Sequence, residues 1–464
     1  MPAVLLLAAV LPLLAAPSLP TPEELHAAWT AVRLSPPSGA YAHEALLADL
    51  RQLEAYSRGT VRIAETGRSA EGRTIPVVVA GTGPERVLLW SQMHGDEPTA
   101  TCALVDLLAF LAESRTTPAT GYLLSRVTVV AIPMLNPDGA VRNDRRNAQG
   151  IDVNRDALRL ASPEGRFLKE VRDRWAPGTG LNLHNQSPLA TAGPDGGQAA
   201  IAVLAVASAE EEPPGEALER KRGLAGHLAR VASVWVPGQV TRYASGYTER
   251  AFGDSMSRWG TPTVLLETGG WHGPREEERL VRLNFVLLLS ALHVLARCEE
   301  TADAPFYDAL PPNGRGSRVD LVLRGAVVHG GRGLPPFVAD LAVVRPRSFA
   351  GDGRRLATAA VADLGDLAHV RGLEEVDASG LVVAPAPPGG AAGWEKAVAA
   401  LAGRGLAREG VLLLDDEGLA REARAWAGGQ AIVPWAEAEL VLLRKVPGGF
   451  AVDSFVRDGT RTMP

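Results

Sequence analysis

The sequence predicts an α/β fold, with a mixed, mainly parallel sheet flanked by helices and followed by a second, smaller β-rich domain. From about residue 61 to residue 297, short apolar runs alternate with amphipathic stretches. This alternation is typical of strands and helices in a mainly parallel sheet that is covered on both faces. Beyond Val319, β-rich runs dominate and aromatic residues are few. Because 464 residues are too many for one hydrophobic core, two folded units are expected.

The apolar runs and helical spacings give the elements of the first domain. The predicted strands are Thr74–Ala80, Val87–Trp90, Val127–Ile132, Leu181–Leu183 and Thr263–Leu266. The predicted helices are Thr21–Leu53, Thr99–Glu113 and Leu280–Arg297. In sheets of this kind ligands bind beyond the carboxyl ends of the strands, so the residues that follow the apolar runs are the candidate site.

A segment rich in Pro and Gly separates this domain from a different C-terminal region. The predicted division is residues 1–16 as a signal peptide, 20–300 as the α/β domain, 301–318 as a linker and 319–464 as the β-rich domain. In the last of these, Val319–Val328 and Ala339–Val344 are predicted strands, and helices are expected near Trp394–Ala402 and Leu419–Trp426.

The first sixteen residues are continuously apolar and end in small residues. They fit a signal peptide cleaved near Ala16, which predicts a secreted or periplasmic protein. A misassigned start or a buried N-terminal strand is the alternative. The run is too short to span a bilayer, and no later stretch is expected to be long and apolar enough to cross one.

Charge and cysteine content exclude several classes of function. The chain has 47 basic and 53 acidic side chains and no run of Lys or Arg, so it lacks the basic surface expected of a nucleic-acid-binding protein. Its two cysteines, Cys102 and Cys298, are too few for a disulfide framework or a cysteine zinc site.

Polar residues capable of metal catalysis follow three of the predicted strands. His94 and Glu97 come after the run ending at Trp90, and His184 and Glu267 each end another. Two imidazoles and a carboxylate form a common catalytic zinc set that leaves one position open. We therefore expect one Zn²⁺ per chain, held by His94, Glu97 and His184. Glu267 is the expected acceptor of the proton of a zinc-activated water.

Five motifs occur in a fixed order: HGDE (94–97), NPDG (136–139), RxNAQGIDVNR (145–155), LNLHNQ (181–186) and LLETG (265–269). In this respect the sequence resembles the carboxypeptidase A-like zinc metallocarboxypeptidases over roughly residues 40 to 297, and their fold is the one expected.

The resemblance implies a role for each matching residue. Zinc would be bound by His94, Glu97 and His184, and Glu267 would promote attack by water. Arg145 would polarise the scissile carbonyl, and Asn154 with Arg155 would bind the free C-terminal carboxylate of the substrate. A guanidinium suits bidentate recognition of a carboxylate, which agrees with this assignment.

Three positions depart from the family pattern or leave it ambiguous. Tyr243 is preferred over Tyr247 as the tyrosine that hydrogen-bonds substrate. Asp96 stands where the animal enzymes often have arginine, which removes one cationic contact to the substrate backbone. Asp254 falls where specificity-pocket residues tend to lie, and either a structural hydrogen bond or selection of a basic side chain is expected.

The C-terminal domain resembles the β-sandwich of D-aminoacylase-type amidohydrolases without their metal-binding barrel. The similar stretches are 320–344, 374–386 and the closing AELVLLRKV and DSFVRDGTRT segments. Only His329 and His369 occur after residue 318, so we expect a non-catalytic appendage. It would bind cell wall, pack on the catalytic domain or shape the rim of the active site.

The leading hypothesis is a zinc metallocarboxypeptidase that cleaves the C-terminal bond of peptides, cell-wall peptides included, by Glu-assisted attack of zinc-bound water. Its partner is a peptide or peptide-like substrate with a free C-terminal carboxylate, with no nucleic acid and no membrane after signal removal. One alternative is a zinc-dependent deacylase or amidase of acyl-amino acids. The other is a metal-free binding protein on a peptidase fold.

Overall fold

The computed structural model describes residues 21–193, 196–297, 302–314, 318–329, 335–345, 358–426 and 432–463. We call the part up to residue 314 the first unit and the part from Arg318 the second unit. The predicted signal peptide and Cys298 lie outside the described residues, so the signal peptide stays a prediction.

The first unit contains ten helices and ten strands among its described residues. The helices are α1 (Pro22–Val32), α2 (His43–Tyr56), α3 (Thr99–Glu113), α4 (Pro118–Arg126), α5 (Pro137–Arg142), α6 (Pro163–Trp175), α7 (Glu216–Trp235), α8 (Phe252–Arg258), α9 (Glu276–Arg297) and α10 (Ala304–Asp308). The strands are β1 (Val61–Arg68), β2 (Thr74–Ala80), β3 (Glu85–Ser91), β4 (Val127–Ile132), β5 (Thr179–Asn185), β6 (Thr191–Ala192), β7 (Ile201–Ala205), β8 (Val240–Arg242), β9 (Thr263–Thr268) and β10 (Asn313–Gly314).

Eight of these strands form one mixed sheet in the order β1-β2-β4-β3-β5-β9-β7-β8. The pairs β3–β4, β3–β5, β5–β9 and β7–β8 are parallel, and β1–β2, β2–β4 and β7–β9 are antiparallel. This arrangement confirms the predicted fold class. The parallel centre β4-β3-β5-β9 holds the strands whose apolar runs are clearest in the sequence.

Alternate residues of the central strands enter two separate cores. In β3, Val87 and Leu89 pack into the larger core with α3 and α9, whereas Leu88 and Trp90 pack into the smaller core with α6 and α8. Successive strand residues point to opposite faces, so a sheet covered on both sides needs apolar residues at every position. That requirement explains why these strands read as continuous apolar runs.

The single helix predicted at Thr21–Leu53 is wrong, because the structure has the two helices α1 and α2 there. Pro36 and Pro37 interrupt the segment, and proline cannot continue a helix. The buried carboxylate of Asp106 on α3 supplies the partner that the break needs, since it accepts hydrogen bonds from the backbone N–H groups of Leu34 and Ser35 at 2.9 and 2.8 Å. The N-terminal segment therefore packs on the α/β domain.

Helix α9 corrects a second expectation, because it is long and apolar enough to cross a membrane by length and composition. In this structure 83% of its most apolar window is buried. The helix lies against α3 and α7 and forms part of the larger core, which accounts for its hydropathy.

In its described residues, the second unit is built on a ten-stranded sheet with two helices. Its elements are β11 (Arg318–Val328), β12 (Phe337–Val344), β13 (Ala360–Gly365), β14 (Arg371–Asp377), β15 (Leu381–Pro385), β16 (Ala407–Arg408), β17 (Val411–Leu412), β18 (Leu440–Val446), β19 (Gly449–Arg457), β20 (Thr460–Thr462), α11 (Gly390–Gly403) and α12 (Asp416–Trp426). Strands and helices lie where the sequence predicted them. The stretch predicted as a linker carries α10 and β10, which contact α7 and β6 of the first unit and so form part of it.

We expect Asp106→Ala to lower the free energy of unfolding by about 3 kcal/mol, because several buried donors lose their acceptor. Besides the two amides, Trp29 Nε1 and Ser35 Oγ donate to the same carboxylate at 2.9 and 2.7 Å. Urea unfolding of the purified variant measures the change. Glu23→Ala, which removes an exposed acid from α1, is the control, and equal stability of the two variants would contradict the role of Asp106.

Candidate metal centre and cavity

The candidate ligands and the expected proton acceptor lie at the carboxyl ends of three adjacent parallel strands. His94 and Glu97 occupy the loop between β3 and α3, where the backbone N–H of Glu97 donates to the carbonyl of His94 at 3.2 Å. His184 lies in β5, and Glu267 is its neighbour in β9 in the register of the sheet. The order β3-β5-β9 thus brings together four residues that are up to 173 positions apart (267 − 94).

His94, Glu97 and His184 form a buried cluster, which we call the ligand triad. Their candidate ligand atoms all lie within 4.8 Å of one another. The Nδ1 atoms of the two imidazoles are 3.1 Å apart, and the Glu97 oxygens lie 2.8 Å from His94 Nδ1 and 2.7 Å from His184 Nδ1. Two ring nitrogens and a carboxylate therefore point at one small volume.

The ligand triad holds ionisable side chains in a site that is buried from water. Burial lowers the pKa of His94, but the charge of Glu97 and hydrogen bonds with Asp152 and Glu97 outweigh it and raise the pKa to about 9. Burial raises the pKa of Glu97, yet the two imidazoles hold it well below its usual range. Burial of His184 lowers the pKa of its imidazole. Glu97 is thus a carboxylate that requires positive charge beside it.

The two imidazoles and the carboxylate fit a zinc ion, because a hydrogen bond orients one of the rings for metal binding. His94 Nε2 lies 3.1 Å from Asp152 Oδ1, so the ring can donate its Nε2–H to that carboxylate and keep the lone pair of Nδ1 for a metal. Histidine ligands of metals commonly donate their other N–H to a carboxylate in this way. With both imidazole Nδ1 atoms and Glu97 converging, a divalent cation would satisfy all three ligands at once.

Asp152 also connects the triad to the segment that the motif analysis singled out. Its Oδ2 accepts from Arg145 Nε at 3.1 Å, and its Oδ1 accepts from the backbone N–H of Asn154 at 3.0 Å. One carboxylate therefore fixes His94, Arg145 and the start of the short 3₁₀ turn Val153–Arg155. Asp152 was not predicted to have a role, although its position between Arg145 and Asn154 in the motif could have indicated one.

Gln92 holds the loop that carries His94, and sequence reasoning missed it. Its backbone has φ of 50°, in the left-handed region that few residues adopt. The side chain compensates, since Nε2 donates to the carbonyl of Gly95 at 2.9 Å and Oε1 accepts from Thr101 at 2.7 Å. A Cβ atom at Gly95 would overlap the backbone of Gly139, so this loop approaches α5 as only glycine allows.

A cavity of about 630 Å³ opens over the triad. Asn154, Arg155 and Tyr243 line it with Arg145 and Glu267, so the structure brings together every predicted site residue. Arg155 is exposed and donates to the carbonyl of Asn154 at 2.7 Å. Burial, followed by the charge of Glu97, raises the pKa of Glu267 well above its usual value.

The structure also separates the ambiguous candidates. Of the two tyrosines, Tyr243 lines the cavity, whereas Tyr247 is outside the set of lining residues in the described part of the chain. Asp254 lines the cavity but is mostly buried, and its Oδ1 accepts from the backbone N–H of Thr248 at 3.2 Å. Asp96 is exposed beside the triad.

Part of the cavity wall comes from beyond the predicted α/β domain. Asn313, Gly314 and Arg318 line the cavity, and we call these three residues the C-terminal wall. No motif marks them, and no signal in the sequence relates residues 313–318 to His184, because the contact arises only when β10 pairs with β6.

Comparisons with known proteins agree with this geometry. Residues 46–196 match the Peptidase_M14 family model, described as zinc carboxypeptidase. A probable carboxypeptidase 2 of Trichophyton verrucosum is 30% identical over 137 residues, which cover 27% of this chain and 26% of that protein. Carboxypeptidase 2 of Trichophyton rubrum is 30% identical over 127 residues, which cover 25% and 23%. The chain thus spans about a quarter of the length of these relatives.

Solved structures that align with part of this chain include two carboxypeptidases. A metallo-carboxypeptidase from Burkholderia cenocepacia has 21% identity and a TM-score of 0.45, over 56% of this chain and 70% of that one. Carboxypeptidase A from Helicoverpa armigera has 17% identity and a TM-score of 0.45, over 60% and 79%. The family match confirms the resemblance seen in the motifs, of which four fall within residues 46–196 and the one that contains Glu267 falls outside. The amidohydrolase resemblance of the second unit is not confirmed and stays a prediction.

We expect Asp152→Asn to weaken zinc binding about tenfold to a hundredfold, because His94 loses the charged acceptor that orients its ring. Competition with a chromogenic chelator measures the dissociation constant. Asp144→Asn is the matched control, since Asp144 is an exposed acid of the same loop that accepts only from the backbone of Arg146 in the described structure. Unchanged zinc affinity in Asp152→Asn would contradict this role.

Proposed function

We propose that this chain, whose residues 46–196 belong to the zinc carboxypeptidase family, is a zinc-dependent metallocarboxypeptidase that removes the C-terminal residue of peptides. The observation that carries the proposal is the convergence of two imidazole Nδ1 atoms and the Glu97 carboxylate, with Glu267 on the adjacent strand. Such a set offers a catalytic zinc ion three protein ligands and an open position.

The substrate's terminal carboxylate would bind at Asn154 and Arg155. The Oδ1 of Asn154 accepts from the backbone N–H of Phe252 at 2.9 Å, so its amide nitrogen remains to donate to a ligand. Arg155 is exposed in the cavity and offers a planar guanidinium, which can bind a carboxylate through two hydrogen bonds. Tyr243 would contact the same end of the substrate.

The remaining residues supply the chemistry at the cleaved bond. When bound, zinc polarises the scissile carbonyl and lowers the pKa of water. Glu267 would accept the proton of the attacking water and pass it to the leaving nitrogen. Arg145, held by Asp152, would stabilise the negative charge that develops on the carbonyl oxygen.

We expect Glu267→Gln to lower kcat/KM on N-acetyl dipeptides about a thousandfold while zinc content stays at that of the wild type, because only the proton acceptor is removed. Elemental analysis and a continuous hydrolysis assay measure the two quantities. Activity within tenfold of the wild type would contradict the role of Glu267. A wild-type protein that takes up no zinc would instead support a binding protein.

The terminal carboxylate gives an independent test of substrate class. We expect amidation of the C terminus to lower kcat/KM of the wild-type protein about a hundredfold or more, because Arg155 loses its charged partner. Arg155→Met should remove most of this discrimination, whereas Arg159→Gln, at an exposed arginine of the same segment, should keep it. A panel of peptides, cell-wall stem peptides and acyl-amino acids identifies the substrate, and cleavage of acyl-amino acids alone would favour a deacylase.

A further inference from the structure

The C-terminal wall is anchored to the cavity by specific contacts. Strand β10 pairs with β6, with Asn313 opposite Ala192 and Gly314 opposite Thr191. Asn313 Nδ2 donates to Oε1 of Gln186, the second residue after His184, at 2.7 Å. Asn313 Oδ1 accepts from Thr241 Oγ1 at 3.0 Å. Both ends of the Asn313 side chain are therefore fixed beside the metal-ligand strand.

Gly314 allows this close approach. A Cβ atom at that position would overlap Thr191 Oγ1 and the carbonyl of Gly193, so a larger residue would push β10 away from the cavity. Further hydrogen bonds hold the preceding residues, including one from the backbone N–H of Gly193 to the carbonyl of Pro312 at 2.8 Å. The wall is thus a fixed part of the cavity.

Arg318 places a cation on this wall. Its Nη2 donates to the carbonyl of Gly196 at 2.6 Å, a neutral acceptor that leaves the positive charge unbalanced. Its Nε is buried without a hydrogen-bond partner, and among the described residues no carboxylate forms an ion pair with this guanidinium. Because this neutral acceptor does not balance the charge and Arg318 lines the cavity, the guanidinium can attract an anionic group of a ligand bound there.

The other two arginines of the cavity have different positions. Arg145 is bound to Asp152 and lies 3.4 Å from Glu97 Oε1. Arg155 follows Asn154, whose side chain is fixed by Phe252, whereas Arg318 is fixed by the segment that follows His184. Arg155 and Arg318 are therefore held by different segments of the chain and line one cavity.

We infer that Arg318 is a specificity-determining residue that binds a carboxylate on the acyl side of the cleaved bond. The inference rests on the proposed function, in which Asn154 and Arg155 take the terminal carboxylate. The preferred substrates are then peptides or acyl-amino acids with a second carboxylate before the scissile bond, such as an acidic residue in the penultimate position. The second unit contributes to substrate choice through this residue.

Paired substrates test this assignment. Ac-Glu-Xaa and Ac-Gln-Xaa, with Ala, Phe or Lys as the last residue, differ only in the charge that Arg318 would bind. We expect the zinc-loaded wild type to prefer the Glu member about tenfold or more in kcat/KM, as a charge-assisted hydrogen bond provides. In Arg318→Gln the ratio should fall to about one, and in Arg318→Lys it should be intermediate because the forked geometry is lost.

Arg371→Gln is the matched control. Arg371 is the Cα partner of Arg318 across β11 and β14, is exposed, and donates to the carbonyl of Ala368 rather than into the cavity. It should keep the wild-type ratio. A wild-type ratio near one would overturn the assignment, as would a Glu preference that persists in Arg318→Gln.

A calorimetric measurement separates this inference from the proposed function. If the wild type cleaves neither peptide, the proposed function fails, and binding of Ac-Glu-Phe against Ac-Gln-Phe decides the role of Arg318. A binding preference that Arg318→Gln abolishes would support the assignment without catalysis. Equal binding of the two peptides by the wild type would overturn it.

Discussion

Glu97 lies buried between two imidazoles, and the rest of the cavity is arranged around the need to balance its charge. A carboxylate removed from water is strongly unfavourable unless positive groups or hydrogen bonds replace the lost solvation. Here His94, His184 and Arg145 surround it, and the backbone N–H of Asn185 adds a donor at 3.1 Å. A second buried carboxylate, Glu267, adds to the demand. Such a cluster is most favourable around a divalent cation, which explains why one small volume collects so many polar side chains.

The supporting contacts follow from the same constraint. The imidazole of His94 can direct its Nδ1 atom at a metal ion only if the ring is oriented, and the hydrogen bond to Asp152 orients it. Asp152 also fixes Arg145 and the Val153–Arg155 turn. The loop before Glu97 must turn sharply at the end of β3, and Gln92 accepts an unfavourable backbone conformation to allow this. Gln92 is buried and Asp152 is partly buried, and the geometry of the cluster depends on both.

The sequence was informative where a feature is local. Strands buried on both faces have continuous apolar runs, so the parallel centre of the sheet and the polar residues at its strand ends were predictable. His94, Glu97, His184 and Glu267 were found in this way. The antiparallel edges were harder to predict. Most residues of strand β1 are exposed or partly exposed, and β7 and β8 are short, so their apolar patterns are weak.

Features that depend on contacts far apart in sequence could not be predicted. The break between α1 and α2 is stabilised by Asp106, some seventy residues later, and the sequence shows only the prolines. Gln92 is an ordinary glutamine until its backbone angle is known. Arg318 resembles any other arginine at the start of a strand, because its place at the cavity depends on the pairing of β10 with β6.

The pairing of β10 with β6 means that two separate parts of the chain build the cavity. The candidate ligands and the proposed proton acceptor lie between residues 94 and 267, whereas one wall of the cavity is supplied by residues that lead into the second unit. Under the proposed function, substitutions in the later segment would change which molecules fit without altering the residues that act on the cleaved bond. The pairing of β6 with β10 thus separates the segment that shapes this wall of the cavity from the strands that carry the candidate ligands.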